Sequence, residues 1–159
     1  MTQLRAFKQV DVFTSSPLNG NPLAVIMAAE DLSTEQMQAV ARWTHLSETT
    51  FVLPATNEAA DYRVRIFTPD GELPFAGHPT LGTAHALLES GISLKKPGQI
   101  VQQCELGLVK VKIADDGALA FAAPEATLTE FNEAPLGSAL NTDAIETRLP
   151  VMIADLGIR

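Results

Sequence analysis

The sequence is poor in cysteine and in positive charge. Among its 159 residues there is one cysteine, Cys104, so no disulfide can form within the chain, as is typical of a reducing compartment. Lys and Arg number 11 against 19 Asp and Glu, which gives a formal net charge of −8. This balance provides no basic patch, so nucleic acid and anionic membranes are not expected as partners.

Long apolar runs are absent as well. No stretch of the sequence approaches the ~20 consecutive apolar residues that a membrane-spanning helix needs. The first five residues, MTQLR, lead directly into an alternating pattern, and this start has the features of neither a signal peptide nor a transit peptide. The sequence therefore predicts a cytoplasmic protein.

Motifs for metal, phosphate and serine chemistry are missing too. His45, His78 and His85 show no His-Glu-x-x-His spacing, and the lone cysteine has no cysteine neighbour, so no metal site is expected. Gly77 and Gly82 lack both the Lys-Ser/Thr of a P-loop and the order of a dinucleotide-binding loop. No serine lies in a G-x-S-x-G elbow.

The chain does contain enough apolar sequence, 46% of its residues, for about one folded domain. Apolar and alternating segments predict strands at 6–14, 23–27, 49–53, 62–68, 100–104, 109–114 and 119–123. Ser33 and Gln36 have capping-box spacing and predict the start of an amphipathic helix. The fold class expected from these elements is α+β.

A second helix is predicted from about Pro79 to Ser90. Proline suits the first helical position, and Gly91 suits the residue just past the end. This helix is apolar on nearly every side, which indicates that other elements surround it. The composition predicts a domain over 1–123, a linker over 124–150 with a short helix near 142–147, and the start of a second domain over 151–159.

Two segments combine titratable side chains with turn residues, 46–51 and 74–80. Glu48 lies between a helix and a strand, where an acid is either a solvated loop residue or a group facing a cavity. His78 either caps its helix or stands at the entrance to such a cavity, where the free amides of the helix attract a carboxylate. Together the two side chains fit a cofactor-free isomerase or epimerase that transfers protons.

The same residues lie in a series of recognisable segments: VDVFT (10–14), GNPLAV (20–25), SETTFV (47–52), FTP (67–69) and ELPFAGHPTLG (72–82). In these segments, and in the order in which they occur, the sequence resembles the phenazine-biosynthesis PhzF-like family of isomerases and epimerases. The resemblance implies the diaminopimelate-epimerase-like fold, with a mixed or antiparallel sheet curled around a central apolar helix. Two similar halves of that fold enclose the active site between them.

The resemblance also implies roles for individual residues. Glu48 would transfer the proton, and His78 would act with it and hold the substrate. Substrate binding would fall on Ser47, Gly77, His78, Pro79 and Thr80. The substrate would be a small cyclic or amino-acid-like carboxylate, and no metal or organic cofactor is implied.

Members of the family are close to twice this length, and their second half brings an Asp-Pro-containing loop to the site opposite Glu48. Residues 153–157 are expected to be the opening strand of that half. We therefore expect a homodimer, or a separate C-terminal half, to complete the cleft. The alternative is a non-catalytic relative that self-associates or binds small carboxylates.

Overall fold

The computed structural model describes residues 4–123, 127–130 and 152–155. The chain divides into two compact units, one running up to Ala122 and one beginning at Ala123. The first unit contains eight strands in one mixed sheet and two helices. Neither helix in this described part of the chain is long and apolar enough to cross a membrane.

The elements of the first unit follow the predicted order. The strands are β1 (Phe7–Val12), β2 (Asn21–Ile26), β3 (Glu48–Leu53), β4 (Tyr62–Phe67), β5 (Glu72–Leu73), β6 (Gln99–Cys104), β7 (Gly107–Ile113) and β8 (Leu119–Phe121). The helices are α1 (Thr34–Thr44) and α2 (Gly77–Glu89). The sheet order is β1-β2-β3-β4-β6-β7-β8, with β5 paired to β4. The β2/β3 and β4/β6 pairs are parallel and the others are antiparallel.

Helix α2 lies within the curl of this sheet. It contacts β1, β2 and β3 from one part of the sheet and β6 and β8 from the other. Eight of its 13 residues are buried, and small residues such as Gly82 and Ala84 let the strands approach closely. The α+β fold with a sheet curled around a central apolar helix is therefore confirmed.

Helix α1 packs on the other face of the sheet, against β3 and β4. Alternate side chains of a strand point to opposite faces, so Val25 joins the core around α2 while Ile26 joins the core under α1. The rings of Phe51 and Phe67 meet edge to face in this second core, with centroids 5.5 Å apart. The start of α1 carries the predicted capping box, with Ser33 as its N-cap.

The start of α2 differs from the prediction. The helix begins at Gly77 rather than at Pro79, because Ala76 is extended and takes the N-cap position. Pro79 is then the third helical residue, where its missing N–H costs no hydrogen bond, since first-turn amides have no acceptor within the helix. Ser90 is the C-cap rather than the last helical residue.

The second unit contains a two-stranded antiparallel sheet of β9 (Thr127–Glu130) and β10 (Met152–Asp155). Strand β9 falls in the segment 124–150, for which the sequence predicted a linker. Its residues pair with β10, which supplies the hydrogen bonds that an isolated segment would lack. The helix predicted near 142–147 lies outside the described residues.

Candidate active site

The candidate site forms where three elements begin. Strands β2 and β3 are parallel, and their register places Leu23 opposite Glu48, so both strands begin at the same end of the sheet. Asn21 is the first residue of β2, Glu48 is the first residue of β3, and His78 is the second residue of α2. The topology therefore brings together residues that are far apart in sequence.

His78 connects these three elements. Its Nδ1 lies 3.0 Å from Oε2 of Glu48, and its Nε2 lies 3.0 Å from the backbone oxygen of Asn21. The side chain of His78 is 8% exposed and that of Glu48 is 19% exposed. The carboxylate thus keeps limited access to solvent, while the imidazole is buried.

The hydrogen bonds of His78 restrict where its protons lie. A carbonyl oxygen only accepts, so Nε2 must carry the hydrogen that it donates to Asn21. Nδ1 then either donates to an ionised Glu48 or accepts from a protonated one. In either case one proton lies between Nδ1 of His78 and Oε2 of Glu48.

Asn21 holds a second predicted site residue. The hydroxyl of the exposed Ser47 donates to the side-chain oxygen of Asn21 at 3.2 Å. Asn21 is not among the predicted site residues, although its place in a Gly-Asn-Pro segment marks it as a turn residue. Its role depends on contacts to Ser47 and to His78, which is 57 positions away, and no local pattern reveals them.

The first turn of α2 has two distinct sides. Ala76 makes no side-chain cap, and amides in a first helical turn lack partners within the helix, so the backbone at Gly77 and His78 suits a carboxylate. The hydroxyl of Thr80, in contrast, donates to the Ala76 oxygen at 2.8 Å and accepts from Gln102 at 3.0 Å. Thr80 is fully buried and secures the helix start from within.

Aromatic side chains border this turn. The ring of Phe13 lies 6.1 Å from that of His78, measured between centroids, at an angle of 43°. On another side, a Cβ added to Gly77 would lie 3.0 Å from Cζ of Phe121, so the ring packs closely on the helical backbone. Phe121 itself meets Phe75 edge to face at 5.5 Å.

Other residues with chemical potential lie apart from this site. His45 is the exposed C-cap of α1, and His85 is exposed on α2. Cys104 ends β6, where its thiol lies 3.6 Å from the Gly107 oxygen. Among the described residues, no group of three or more His, Cys, Asp or Glu could hold a metal ion.

The sequence matches the family model described as phenazine biosynthesis-like protein, PhzC-PhzF, over residues 10–158. The chain belongs to this PhzF-like family. It is 44% identical over 162 residues to Antisense-enhancing sequence 1 of Schizosaccharomyces pombe, and the alignment covers 94% of this chain and 54% of that protein. It is 60% identical over 78 residues to trans-2,3-dihydro-3-hydroxyanthranilate isomerase of Pseudomonas chlororaphis, covering 49% of the chain and 28% of the isomerase.

Solved structures agree with the PhzF-like assignment. The PhzF-family protein of Bacillus anthracis has a TM-score of 0.81 at 28% identity, over 95% of this chain and 52% of that protein. A hydroxyproline epimerase of Agrobacterium vitis has a TM-score of 0.51 at 19% identity, over 70% of this chain and 40% of that protein. This likeness is one of fold alone. The predicted epimerase-like fold is confirmed. The chain spans about half the length of the first curated relative and of the Bacillus anthracis structure.

Proposed function

We propose that this chain carries the proton-transfer side of a PhzF-like isomerase or epimerase site. The observation that carries the proposal is the 3.0 Å contact between Glu48 and His78. It joins a carboxyl group to an imidazole, with one proton between them, where β3 and α2 begin. Relatives named as isomerases support the general reaction class.

In this proposal Glu48 is the catalytic residue that exchanges a proton with carbon. As a carboxylate it takes a proton from a carbon next to the substrate's carboxylate or conjugated system, and as an acid it returns a proton to another position. Its acid hydrogen exchanges with solvent between the two steps, because the Glu48 side chain is 19% exposed. No proton is gained or lost overall, and no oxidant or reductant is needed. His78 orients the carboxylate, because its Nδ1–H donates to Oε2 before and after the transfer, so the other carboxylate oxygen of Glu48 takes and returns the proton.

The start of α2 would hold the substrate's own carboxylate. The backbone at Gly77 and His78 offers first-turn amides and the positive end of the helix dipole. Ser47 is exposed beside Glu48 and supplies a hydroxyl at the same edge. Pro79 and Thr80 contribute by fixing the helix start, since both are buried. A small cyclic or amino-acid-like carboxylate fits this arrangement.

Deuterium transfer from D2O into candidate cyclic hydroxy acids and amino acids tests the proposal. Mass spectrometry of the recovered acid should show carbon-bound deuterium with the unmodified chain and a loss of at least about a hundredfold with Glu48→Gln. Glu58→Gln is the matched control, because Glu58 is exposed in the loop after the opposite end of β3. Equal uptake with Glu48→Gln and the unmodified chain would refute the role of Glu48.

A second candidate function is self-association, with or without carboxylate binding. Its support is the set of exposed apolar side chains on β1 and on either side of it: Leu4 is 96% exposed, Phe7 55% and Leu18 95%. Strand β1 is also an edge strand of the sheet, and among the described residues it pairs only with β2. Apolar exposure beside an open sheet edge favours pairing with a second copy. Light scattering at micromolar concentration should then show a dimer, and a monomer would contradict this candidate.

A further inference from the structure

Phe13 has two features that folding alone does not explain. It follows β1 directly, and its backbone has φ of 64°, in the left-handed region that destabilises a bulky side chain. Its side chain is also 70% exposed, so little apolar burial offsets that strain. An aromatic residue that is both strained and exposed needs another reason for its position.

The loop after Phe13 is tightly closed. The carboxylate of Asp11 accepts a hydrogen bond from the backbone N–H of Leu18 at 2.7 Å, which folds the loop back toward β1. Gly20 closes the same loop so tightly that an added Cβ would lie 2.2 Å from the oxygen of Val12. Phe13 thus keeps its left-handed backbone at the start of a tightly closed loop.

The ring of Phe13 contacts the imidazole of His78. Their centroids are 6.1 Å apart, within the 4.5–7 Å range of interacting aromatic pairs. We propose that Phe13 is a positioning residue, whose ring covers the imidazole of His78 and fixes the plane in which Nδ1 faces Glu48. The functional meaning of this contact rests on the proposed proton transfer, but the contact itself is testable without it.

We expect Phe13→Gly to stabilise the fold and, at the same time, to expose His78 to solvent. Phe13→Gly removes the left-handed strain, so Tm should rise by a few degrees. The same change uncovers His78, so exchange of its imidazole C2 proton with D2O should accelerate several-fold. Leu18→Gly is the matched control, because Leu18 is also left-handed (φ 66°) and 95% exposed. It should raise Tm without changing exchange at His78.

The experiment measures histidine C2 exchange by mass spectrometry and Tm by circular dichroism on the full chain. The exposed His45, at the end of α1, is the internal reference whose exchange should stay constant, whereas His85 lines the same cavity as Phe13 and cannot serve as one. Phe13→Tyr restores an aromatic ring and should return His78 to slow exchange. Unchanged exchange at His78 in Phe13→Gly would overturn the proposal, as would a lowered Tm, which would make the ring a packing group.

Faster exchange at His45 together with His78 would also overturn it, since that result indicates general loosening. Deuterium uptake into substrate separates this proposal from the proposed function. If the unmodified chain transfers no deuterium to any acid while the Phe13 variants behave as expected, the proposed function fails and the contact stands. If transfer occurs, Phe13→Gly should lower kcat more than it raises KM.

Discussion

Gly82 determines how closely helix α2 can approach the sheet. A Cβ at this position would lie 2.6 Å from Cδ2 of Leu23 and 2.8 Å from Cγ2 of Val12. Both neighbours are buried and have little room to move. The glycine lowers the intrinsic helix propensity by about 1 kcal/mol, and the close packing that it permits offsets this cost.

We therefore expect Gly82→Ala to lower the free energy of unfolding by about 1–2 kcal/mol, because overpacking outweighs the gain in helix propensity. Urea denaturation followed by circular dichroism measures the change. Gly71→Ala is the control, since nothing lies within 4 Å of the added Cβ and its φ is not positive. It should stay within about 0.5 kcal/mol of the unmodified chain. A stabilised Gly82→Ala would show that the strands can retreat from the helix.

The two helices begin in different ways that match their surroundings. Helix α1 packs on the face of the sheet opposite α2, and its capping box satisfies two backbone amides at the start of the helix. Ser33 Oγ accepts from Gln36 N at 3.3 Å, and Gln36 Oε1 accepts from Ser33 N at 2.9 Å. Gln38 of the same helix donates to the oxygen of Thr68 at 2.8 Å and so holds the loop after β4. Helix α2 begins without a side-chain cap, and in the proposed function its first amides bind the substrate's carboxylate.

Removing the α1 cap should destabilise the whole unit. Ser33→Ala is expected to cost about 1 kcal/mol in the free energy of unfolding, because an amide of the first turn loses its acceptor. Ser33→Asn, which can still accept from that amide, should cost a few tenths at most. Thermal unfolding measures both. Equal losses in the two variants would mean that the hydroxyl itself, and not capping, is what matters.

Local pattern explains which elements could be predicted from the sequence. The capping box at Ser33 predicts α1, and alternation predicts the strands, because both signals depend on near neighbours. The start of α2 was placed two residues late, since proline is favoured at the first helical position but is also tolerated at the third. Glu48 and His78 were selected by residue type and resemblance. The contribution of Asn21 arises only from the parallel register of β2 and β3, which no short pattern specifies.

At the scale of the whole molecule, one buried polar chain ties the sheet to its central helix. The Tyr62 hydroxyl donates to Oε1 of Gln102 at 2.9 Å, and Nε2 of Gln102 donates to the Thr80 hydroxyl at 3.0 Å. These residues belong to β4, β6 and α2. Burial raises the pKa of Tyr62 above its ordinary value of 10.0, and nearby Cys104 and Asp61 add to the effect.

This raised pKa predicts loss of stability in alkali. The folded state keeps the Tyr62 proton that the unfolded state releases above pH 10.0, so unfolding is favoured as pH rises, by up to about 1.4 kcal/mol per pH unit. Tyr62 is the sole tyrosine, so tyrosinate absorbance should appear together with loss of the circular dichroism signal. In Tyr62→Phe the free energy of unfolding should fall less steeply as pH rises, by up to about 1.4 kcal/mol per pH unit. Tyrosinate absorbance at pH 10 with the fold intact would contradict the prediction.

The enclosure of α2 has a consequence for the order in which the chain folds. The strands that cover the helix come from both before and after it in the sequence, β1 to β3 on one side and β6 and β8 on the other. Such non-local contacts slow folding, because long loops must close before any apolar area is buried. During synthesis, α2 therefore emerges after β1 to β3 but before β6 and β8, and about thirty more residues must follow before the sheet can close on its other side. During that interval, the apolar surface of α2 that β6 and β8 will cover is open to aggregation.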